Sequence, residues 1–133
     1  MYLFDGRADA ASKYGNGNVN GVKGMILLPD AWTLPEGVPT FIPGKSNWAN
    51  VYNTNQWAQM EAAGAVFLPA SGNRYVTTLF NVGDRGFYWS SSYYDDDIAY
   101  YVDFPNDNGE FDWQAHLYNR SSAYSVRLVR NAN

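Results

Sequence analysis

The segment YWSSSYYDDDIAYYVDF occupies residues 88–104 and has the most unusual composition in the chain. It contains seven aromatic residues, three serines and four aspartates, and it contains neither lysine nor arginine. Aromatic residues are enriched in β-strands, whereas aspartate is depleted from them. The segment therefore predicts two strands, FYWSSS and IAYYVDF, separated by an exposed acidic loop, YYDDD at residues 93–97.

The second of these strands has two faces, because successive side chains of a strand point in opposite directions. Alternation places Ala99, Tyr101 and Asp103 on one face of it. We expect Val102 and Phe104, on the other face, to lie in the core. Tyr101 and Asp103 are accordingly expected to face outward beside the acidic loop.

Length and charge exclude several classes of protein. The 133 residues can bury a single core, and we expect one domain over residues 1–133. The chain has no cysteine, which excludes disulfides and thiolate chemistry. The net charge of −4 argues against nucleic acid as a partner, because that interaction needs basic patches. No apolar run approaches the roughly 18 residues of a spanning helix, so membrane insertion is not expected.

The remainder of the chain predicts one main helix and many short strands. The segment NTNQWAQMEAAG at residues 53–64 begins with Asn53 and Gln56 in capping-box spacing and ends at Gly64. Asn and Gly in GNGNVNGVKG indicate a flexible loop or a hairpin turn. Further strands are expected at GMILLP (24–29), GAVFLPA (64–70), EFDWQAHLY (110–118) and AYSVRLVR (123–130), with a hairpin turn at PNDNG (105–109).

These elements indicate an α+β fold with one main helix, a small twisted antiparallel sheet and long loops. GMILLP and GAVFLPA are short apolar runs and are expected to share one core. In AYSVRLVR, alternation places Tyr124, Val126 and Leu128 on a common face.

Catalytic and metal-binding chemistry receive little support. The single histidine, His116, lies in no catalytic motif, so an enzyme is not predicted. Paired carboxylates could serve a glycoside hydrolase, but sequence spacing cannot establish the separation that such an enzyme needs. The aspartates could supply oxygen ligands to calcium, but they do not follow the EF-hand pattern. No cofactor is therefore predicted, and calcium is retained as an alternative.

The region between Gly86 and Asn119 concentrates both acidic and aromatic residues. It holds seven of the 13 acidic residues and 11 of the 23 aromatic ones. Tyrosine combined with small polar residues is typical of recognition surfaces, because tyrosine offers large contact area at low entropic cost. The predicted ligand-binding residues are Tyr93, Tyr94, Asp95, Asp96, Asp97, Tyr101, Asp103, Asp112, Trp113, His116 and Tyr118.

Five phrases occur in a characteristic order within residues 19–130: GVKGMILLPDAWTLP, QWAQMEAAGAVFLPASGNRY, NVGDRGFYWSSSYY, AYYVDF and SVRLVR. In this order they resemble the Fibrobacter succinogenes major paralogous domain of Bacteroidetes surface proteins. That family is similar to the C-type-lectin-like fold, and several members resemble the variable proteins of diversity-generating retroelements. The resemblance implies a scaffold that includes Trp89 to Ser91 and a closing strand in which Arg127 and Arg130 have structural roles. It also implies variable surface positions from Tyr93 to Asp97 and from Asp103 to Tyr118.

The resemblance implies a non-enzymatic, adhesin-like module that is the C-terminal part of a longer protein at the cell surface or in the secreted fraction. We expect its Tyr- and Asp-rich surface to bind a protein or a glycan. A basic protein is favoured over an acidic glycan, which the surface would repel. The alternatives are a calcium-dependent carbohydrate-binding lectin and an oligomer-forming surface structural protein.

Overall fold

The structure is a computed structural model that describes residues 9, 12–44, 47–104 and 116–128. Within that part of the chain it contains one α-helix and nine β-strands. In chain order the elements are β1 (Tyr14–Val19), β2 (Val22–Leu27), β3 (Asn50–Tyr52), α1 (Thr54–Ala62), β4 (Val66–Pro69), β5 (Asn73–Tyr75), β6 (Thr78–Phe80), β7 (Gly86–Tyr93), β8 (Ile98–Phe104) and β9 (His116–Asn119). No helix in these segments has the length and apolar character needed to cross a membrane.

The first sheet has the strand order β3-β1-β2-β4, with antiparallel pairing except between β1 and β3, which are parallel. Strands β1 and β2 form a hairpin whose two-residue turn is Asn20 and Gly21. Both turn residues have positive φ angles, 52° and 86°, which an Asn-Gly pair adopts at little steric cost. The hairpin alternative predicted for GNGNVNGVKG is therefore confirmed. The antiparallel pairing of β2 with β4 also confirms that GMILLP and GAVFLPA lie together.

The predicted helix is confirmed as α1, and both ends follow from local sequence. The side-chain oxygen of Asn53 accepts a 2.9 Å hydrogen bond from the backbone N–H of Gln56. The side-chain oxygen of Gln56 accepts a 3.0 Å bond from the backbone N–H of Asn53, which completes the capping box. Gly64 follows the helix with a φ of 97°, a conformation that favours glycine and ends the helix.

Two clusters of buried side chains form the core. The first lies between the first sheet and α1, and its buried members are Val19, Ile26, Leu28, Val38, Phe41, Tyr52, Met60 and Ala65. The second joins the first sheet to strands β7 and β8 through Met25, Leu68, Ala70, Tyr88 and Phe104. Strand β2 contributes to both clusters, because the neighbouring residues Met25 and Ile26 point to opposite faces.

The other two sheets contain only antiparallel pairs. Strands β5 and β6 form one, and the other has the order β7-β8-β9. Strands β7 and β8 match the predicted FYWSSS and IAYYVDF, and residues 94–97 connect them. Strand β9 falls within the predicted EFDWQAHLY, while the start of that segment and the PNDNG turn lie outside the described residues. The α+β class is thus confirmed, although several sheets replace the single small sheet that the sequence predicts.

The predicted closing strand AYSVRLVR is wrong over its described part, residues 123–128. Ala123 and Ser125 form isolated bridges to Arg74 and Tyr88, and no strand follows them through residue 128. The alternation of apolar residues is misleading, because the side chain of Val126 is 63% exposed and that of Leu128 is 88% exposed. Val129 and Arg130 lie outside the described residues.

Candidate functional site: an aromatic face and an acidic loop

One face of the β7-β8-β9 sheet carries a continuous group of rings, which we call the aromatic face: Phe87, Trp89, Tyr101, Tyr118 and Tyr124. Cross-strand register brings four of them to one face. Phe87 is opposite Asp103, Trp89 is opposite Tyr101, and Tyr118 is opposite Ala99. The reverse face of the sheet carries Tyr88 and Phe104 into the second core cluster. The rings of the aromatic face therefore lie on the side of the sheet that turns away from that core.

Tyr124 is the central ring of the aromatic face. Its centroid lies 4.7 Å from that of Trp89, 5.0 Å from Tyr101, 5.2 Å from Phe87 and 5.9 Å from Tyr118. The following residue, Ser125, fixes this position through two backbone hydrogen bonds to β7. Its N–H donates to the Phe87 carbonyl at 2.9 Å, and its carbonyl accepts from the Trp89 N–H at 3.0 Å.

The aromatic face is only partly covered. Phe87 is buried, Trp89, Tyr101 and Tyr124 are intermediate, and Tyr118 is 51% exposed. Aromatic rings that touch one another lose little further freedom when a partner covers them, which favours binding. The arrangement can therefore offer a rigid, half-exposed contact surface.

Asp103 differs from its predicted position. The sequence predicts an outward-facing carboxylate, but Asp103 is buried, with 8% of its surface exposed. Its carboxylate accepts a hydrogen bond of 2.5 Å from the guanidinium of Arg85, which forms an ion pair at the edge of the aromatic face. The Arg85 guanidinium also lies 5.1 Å from the centroid of the Phe87 ring. The expected exposure of Asp103 is wrong because Arg85, which lies outside the quoted segment, compensates the buried charge.

The other predictions for β8 are closer to the structure. Phe104 is fully buried, and Val102 is partly buried against the second core cluster. Tyr101 is on the expected face but is half-buried, because Tyr118 and Tyr124 pack around it.

Burial also changes the acid-base properties of two tyrosines on the aromatic face. Burial raises the pKa of Tyr124 to about 12, and the neighbouring Tyr101 contributes in the same direction. The pKa of Tyr101 is raised first by burial and then by the negative charge of Asp103, while Arg85 opposes the shift. Both shifts disfavour the ionised form of these hydroxyls.

The acidic loop is exposed, as the sequence predicts, but Tyr93 is the last residue of β7, so only residues 94–97 connect β7 to β8. The Asp95 carboxylate accepts hydrogen bonds from the backbone N–H groups of Asp97 at 2.9 Å and Ile98 at 2.8 Å. Arg120 also stabilises the loop, through two hydrogen bonds. Its backbone N–H donates to the Asp97 carbonyl, and its guanidinium donates to the Asp96 carbonyl at 2.9 Å. Asp95 therefore has a structural role in a folded loop.

The predicted ligand-binding residues fall into three groups. Tyr101, Asp103 and Tyr118 lie at the aromatic face, while Tyr93 and Tyr94 lie at the acidic loop with exposures of 68% and 63%. His116 pairs with Tyr101 through the backbone register of β9. Asp112 and Trp113 lie outside the described residues.

Three rings of the aromatic face are missing from the predicted set. Phe87 and Trp89 precede the acidic loop, and Trp89 is assigned to the scaffold by the family resemblance. Strand alternation could have identified them, since both share a face with the predicted Tyr101 once the β7-β8 register is known. No local signal identifies Tyr124, because an isolated bridge between distant segments brings it to the sheet.

Metal binding has no assembled site in the described residues, where no three His, Cys, Asp or Glu side chains form a group that could hold an ion. The Asp95 carboxylate already accepts hydrogen bonds from the backbone of the acidic loop. The described residues therefore contain no group of side chains that could bind calcium as that alternative requires.

Comparisons with known proteins returned no match. No protein-family model matches the chain, and neither a curated protein nor a solved structure matches it. The resemblance to the Fibrobacter succinogenes major paralogous domain, and through it to the C-type-lectin-like fold, stays a prediction from the sequence.

Proposed function

We propose that this chain is a non-enzymatic, adhesin-like binding module whose recognition surface combines the aromatic face with the acidic loop. The observation that carries the proposal is the half-exposed, mutually packed set of rings around Tyr124, with centroid separations of 4.7–5.9 Å. Binding hot spots are enriched in tyrosine and tryptophan and are surrounded by groups that exclude water. Tyr93 and Tyr94 extend the aromatic character of this surface to the loop.

The preferred ligand is a protein with a basic patch. The sequence between Arg85 and Arg120 contains no lysine or arginine, and the exposed loop carries consecutive aspartates. Asp103 contributes little to this field, because its charge is paired with Arg85. The carboxylates of Asp96 and Asp97 are therefore the groups best placed to attract a cationic partner and increase its rate of association.

A C-type-lectin-like fold, a location at the cell surface or in the secreted fraction, and diversification by a retroelement form the finer part of the proposal. They are supported by the five sequence phrases. The exposure of Tyr93 to Asp97 is compatible with diversification, because substitutions at exposed loop positions away from special contacts usually change stability little. Asp95 is the exception, since its carboxylate supports the loop backbone.

The proposal is tested by screening the purified chain on arrays of extracellular proteins and glycans, with calcium and with chelator. Hits are then titrated with the variants Tyr118→Ser and Asp96→Asn/Asp97→Asn. We expect Tyr118→Ser to weaken binding about tenfold or more, because the most exposed ring of the aromatic face is lost. Tyr75→Ser is the matched control, since Tyr75 is 71% exposed but lies on β5.

Other outcomes would replace the proposal with a named alternative. Binding that chelator abolishes would favour the calcium-dependent lectin. Turnover of an oligosaccharide that is lost in single Asp→Asn variants would establish a glycoside hydrolase. An oligomer that Tyr93→Ser and Tyr94→Ser dissociate would favour the structural role. Equal binding by the wild-type chain and Tyr118→Ser would exclude the aromatic face as the recognition surface.

A further inference from the structure

A small pocket lies beside the acidic loop where the pairing of β7 with β8 is irregular, and we call it the bulge pocket. Its volume is about 260 Å³. It is lined by Trp89, Ser90, Ser91, Ser92, Tyr93, Ala99 and Arg120. The family resemblance assigns part of this segment to the scaffold, but the pocket brings its polar and aromatic groups together.

The irregular register creates the pocket. Trp89 pairs with Tyr101 and Tyr93 pairs with Ala99, so four steps along β7 match only two along β8. Two more residues of β7 than of β8 therefore lie between these pairs, as in a β-bulge, a feature that is frequent next to active sites. Ser90 and Ser92 support this conformation locally. The Ser92 N–H donates to the Ser90 hydroxyl oxygen at 3.1 Å, and that hydroxyl donates to the Ser92 carbonyl at 3.2 Å.

The lining combines two kinds of surface. The lining includes two aromatic residues, Trp89 and Tyr93, and the small, buried residue Ala99. Serine hydroxyls can both donate and accept hydrogen bonds, whereas the Arg120 guanidinium presents several donors in a fixed plane. One of these donors is directed to the Asp96 carbonyl, which fixes the guanidinium against the acidic loop.

A ligand that fits this lining has an apolar face and several neutral hydroxyl groups. Sugar rings have this character, because their C–H groups can pack on aromatic faces while their hydroxyls form hydrogen bonds. The pocket is smaller than the roughly 300–1,000 Å³ of sites for drug-sized ligands, so it suits one ring. We infer that the bulge pocket is a binding subsite for a single neutral pyranose residue, formed by Trp89, Tyr93, the serines and Arg120.

The charge of the surroundings argues for a neutral ligand. Arg120 is the single cation of the lining, and the acidic loop that it contacts carries Asp95, Asp96 and Asp97. An anion would meet a favourable guanidinium but also several carboxylates nearby, and like charges oppose its binding. Neutral hydroxyls avoid this repulsion and still accept hydrogen bonds from Arg120.

This subsite shares Trp89 and Tyr93 with the proposed recognition surface, but its test needs no protein ligand. The test is an amide NMR titration of the isotope-labelled chain with methyl β-D-glucopyranoside, methyl β-D-galactopyranoside and methyl α-D-mannopyranoside. We expect at least one glycoside to cause saturable shifts at residues 90–93, Ala99 and Arg120. A dissociation constant of roughly millimolar is expected, since a single small ring can contribute only limited binding energy.

Two variants test the pocket directly. Arg120→Gln should weaken the glycoside at least several-fold, and Ser91→Phe should abolish binding by filling the space. Ser121→Phe is the matched control, because Ser121 lines a different cleft together with Arg74 and Tyr75. Preserved spectral dispersion in each variant would show that the fold is retained.

The inference is overturned if none of the three glycosides causes saturable shifts, or if the shifts are unaffected by Ser91→Phe. Saturable binding of inorganic phosphate without binding of any glycoside would identify an anion site instead. Loss of glycoside binding with chelator would indicate a metal-dependent site. The two proposals have separate readouts, because the glycoside titration reports on residues 90–93, Ala99 and Arg120, whereas protein binding is tested by Tyr118→Ser; failure of one is therefore distinguishable from failure of the other.

Discussion

At the scale of single residues, the sequence predicts which face of a strand a residue occupies more reliably than whether its side chain is buried. Asp103 shows the difference. Alternation correctly assigns Asp103 to the same face as Tyr101. Its exposure depends on Arg85, which precedes β7 and reaches the carboxylate across the paired strands. The local sequence around a residue does not indicate that a long side chain from another segment will pack against it. The acidic loop is predicted better, because exposure of consecutive aspartates requires no distant partner.

The first prediction concerns this ion pair. Asp103→Asn should lower the free energy of unfolding by about 1–3 kcal/mol, because it leaves the guanidinium of Arg85 without its charged partner in a partly buried position. Urea unfolding measures this change. Asp96→Asn is the control and should stay within about 0.5 kcal/mol, since Asp96 is exposed. Equal effects of the two variants would mean that the pair does not stabilise the fold.

The second prediction concerns tyrosine ionisation. The pKa values of Tyr52 and Tyr124 are raised by burial to about 12 from an ordinary value of 10.0. As pH rises above about 10, these hydroxyls ionise in the unfolded chain before they ionise in the folded one, which favours unfolding. Stability should therefore be full below pH 10 and fall between about pH 10 and pH 12.

Urea unfolding at increasing pH measures this dependence. The double variant Tyr52→Phe/Tyr124→Phe should show a shallower fall in the alkaline range, because two of the responsible groups are removed. The free energy of unfolding of the double variant at neutral pH is compared with that of the wild-type chain in a separate measurement. An unchanged alkaline slope in the variant would show that these hydroxyls do not control the transition.

At the scale of elements, the sequence predicts most where a signal is local. The capping box of α1 and the Asn20-Gly21 turn are each set by a few neighbouring residues, and both are confirmed. The closing segment is different, because its alternating apolar pattern is typical of a strand but only isolated bridges form. The bulge in β7 is likewise not readable from the sequence YWSSSYY, since it is a mismatch of register between two strands.

The third prediction concerns the close approach of β7 and β8. Gly86 pairs with Phe104, and a Cβ atom at position 86 would overlap the Phe104 ring. Gly86→Ala should therefore destabilise the fold by about 1–3 kcal/mol through overpacking. In a Phe104→Leu background the same change should be less harmful, because the smaller side chain leaves space for the methyl group. Additive effects in urea unfolding would contradict this direct steric coupling.

At the scale of the whole molecule, β2 links the two core clusters. Met25 and Ile26 are adjacent, fully buried and directed to opposite sides of the first sheet. The hydroxyl of Tyr88 adds a second link, since it donates a 2.8 Å hydrogen bond to the Pro69 carbonyl of β4. The sheet that carries the aromatic face is therefore anchored to the first sheet by apolar packing and by a hydrogen bond.

The last prediction follows from this shared strand. If β2 couples the clusters, Met25→Ala should destabilise both of them together, although Met25 itself belongs to the second cluster. We expect a loss of about 2–5 kcal/mol, as for other large-to-small changes at buried positions. Amide hydrogen exchange measures the free energy of opening for α1 and for β7 and β8 separately, and both should fall by similar amounts.

Ile26→Ala is the matched comparison from the other side of the same strand. A loss confined to β7 and β8 in Met25→Ala, with α1 unchanged, would show that the aromatic face rests on a subdomain that opens independently of the helix.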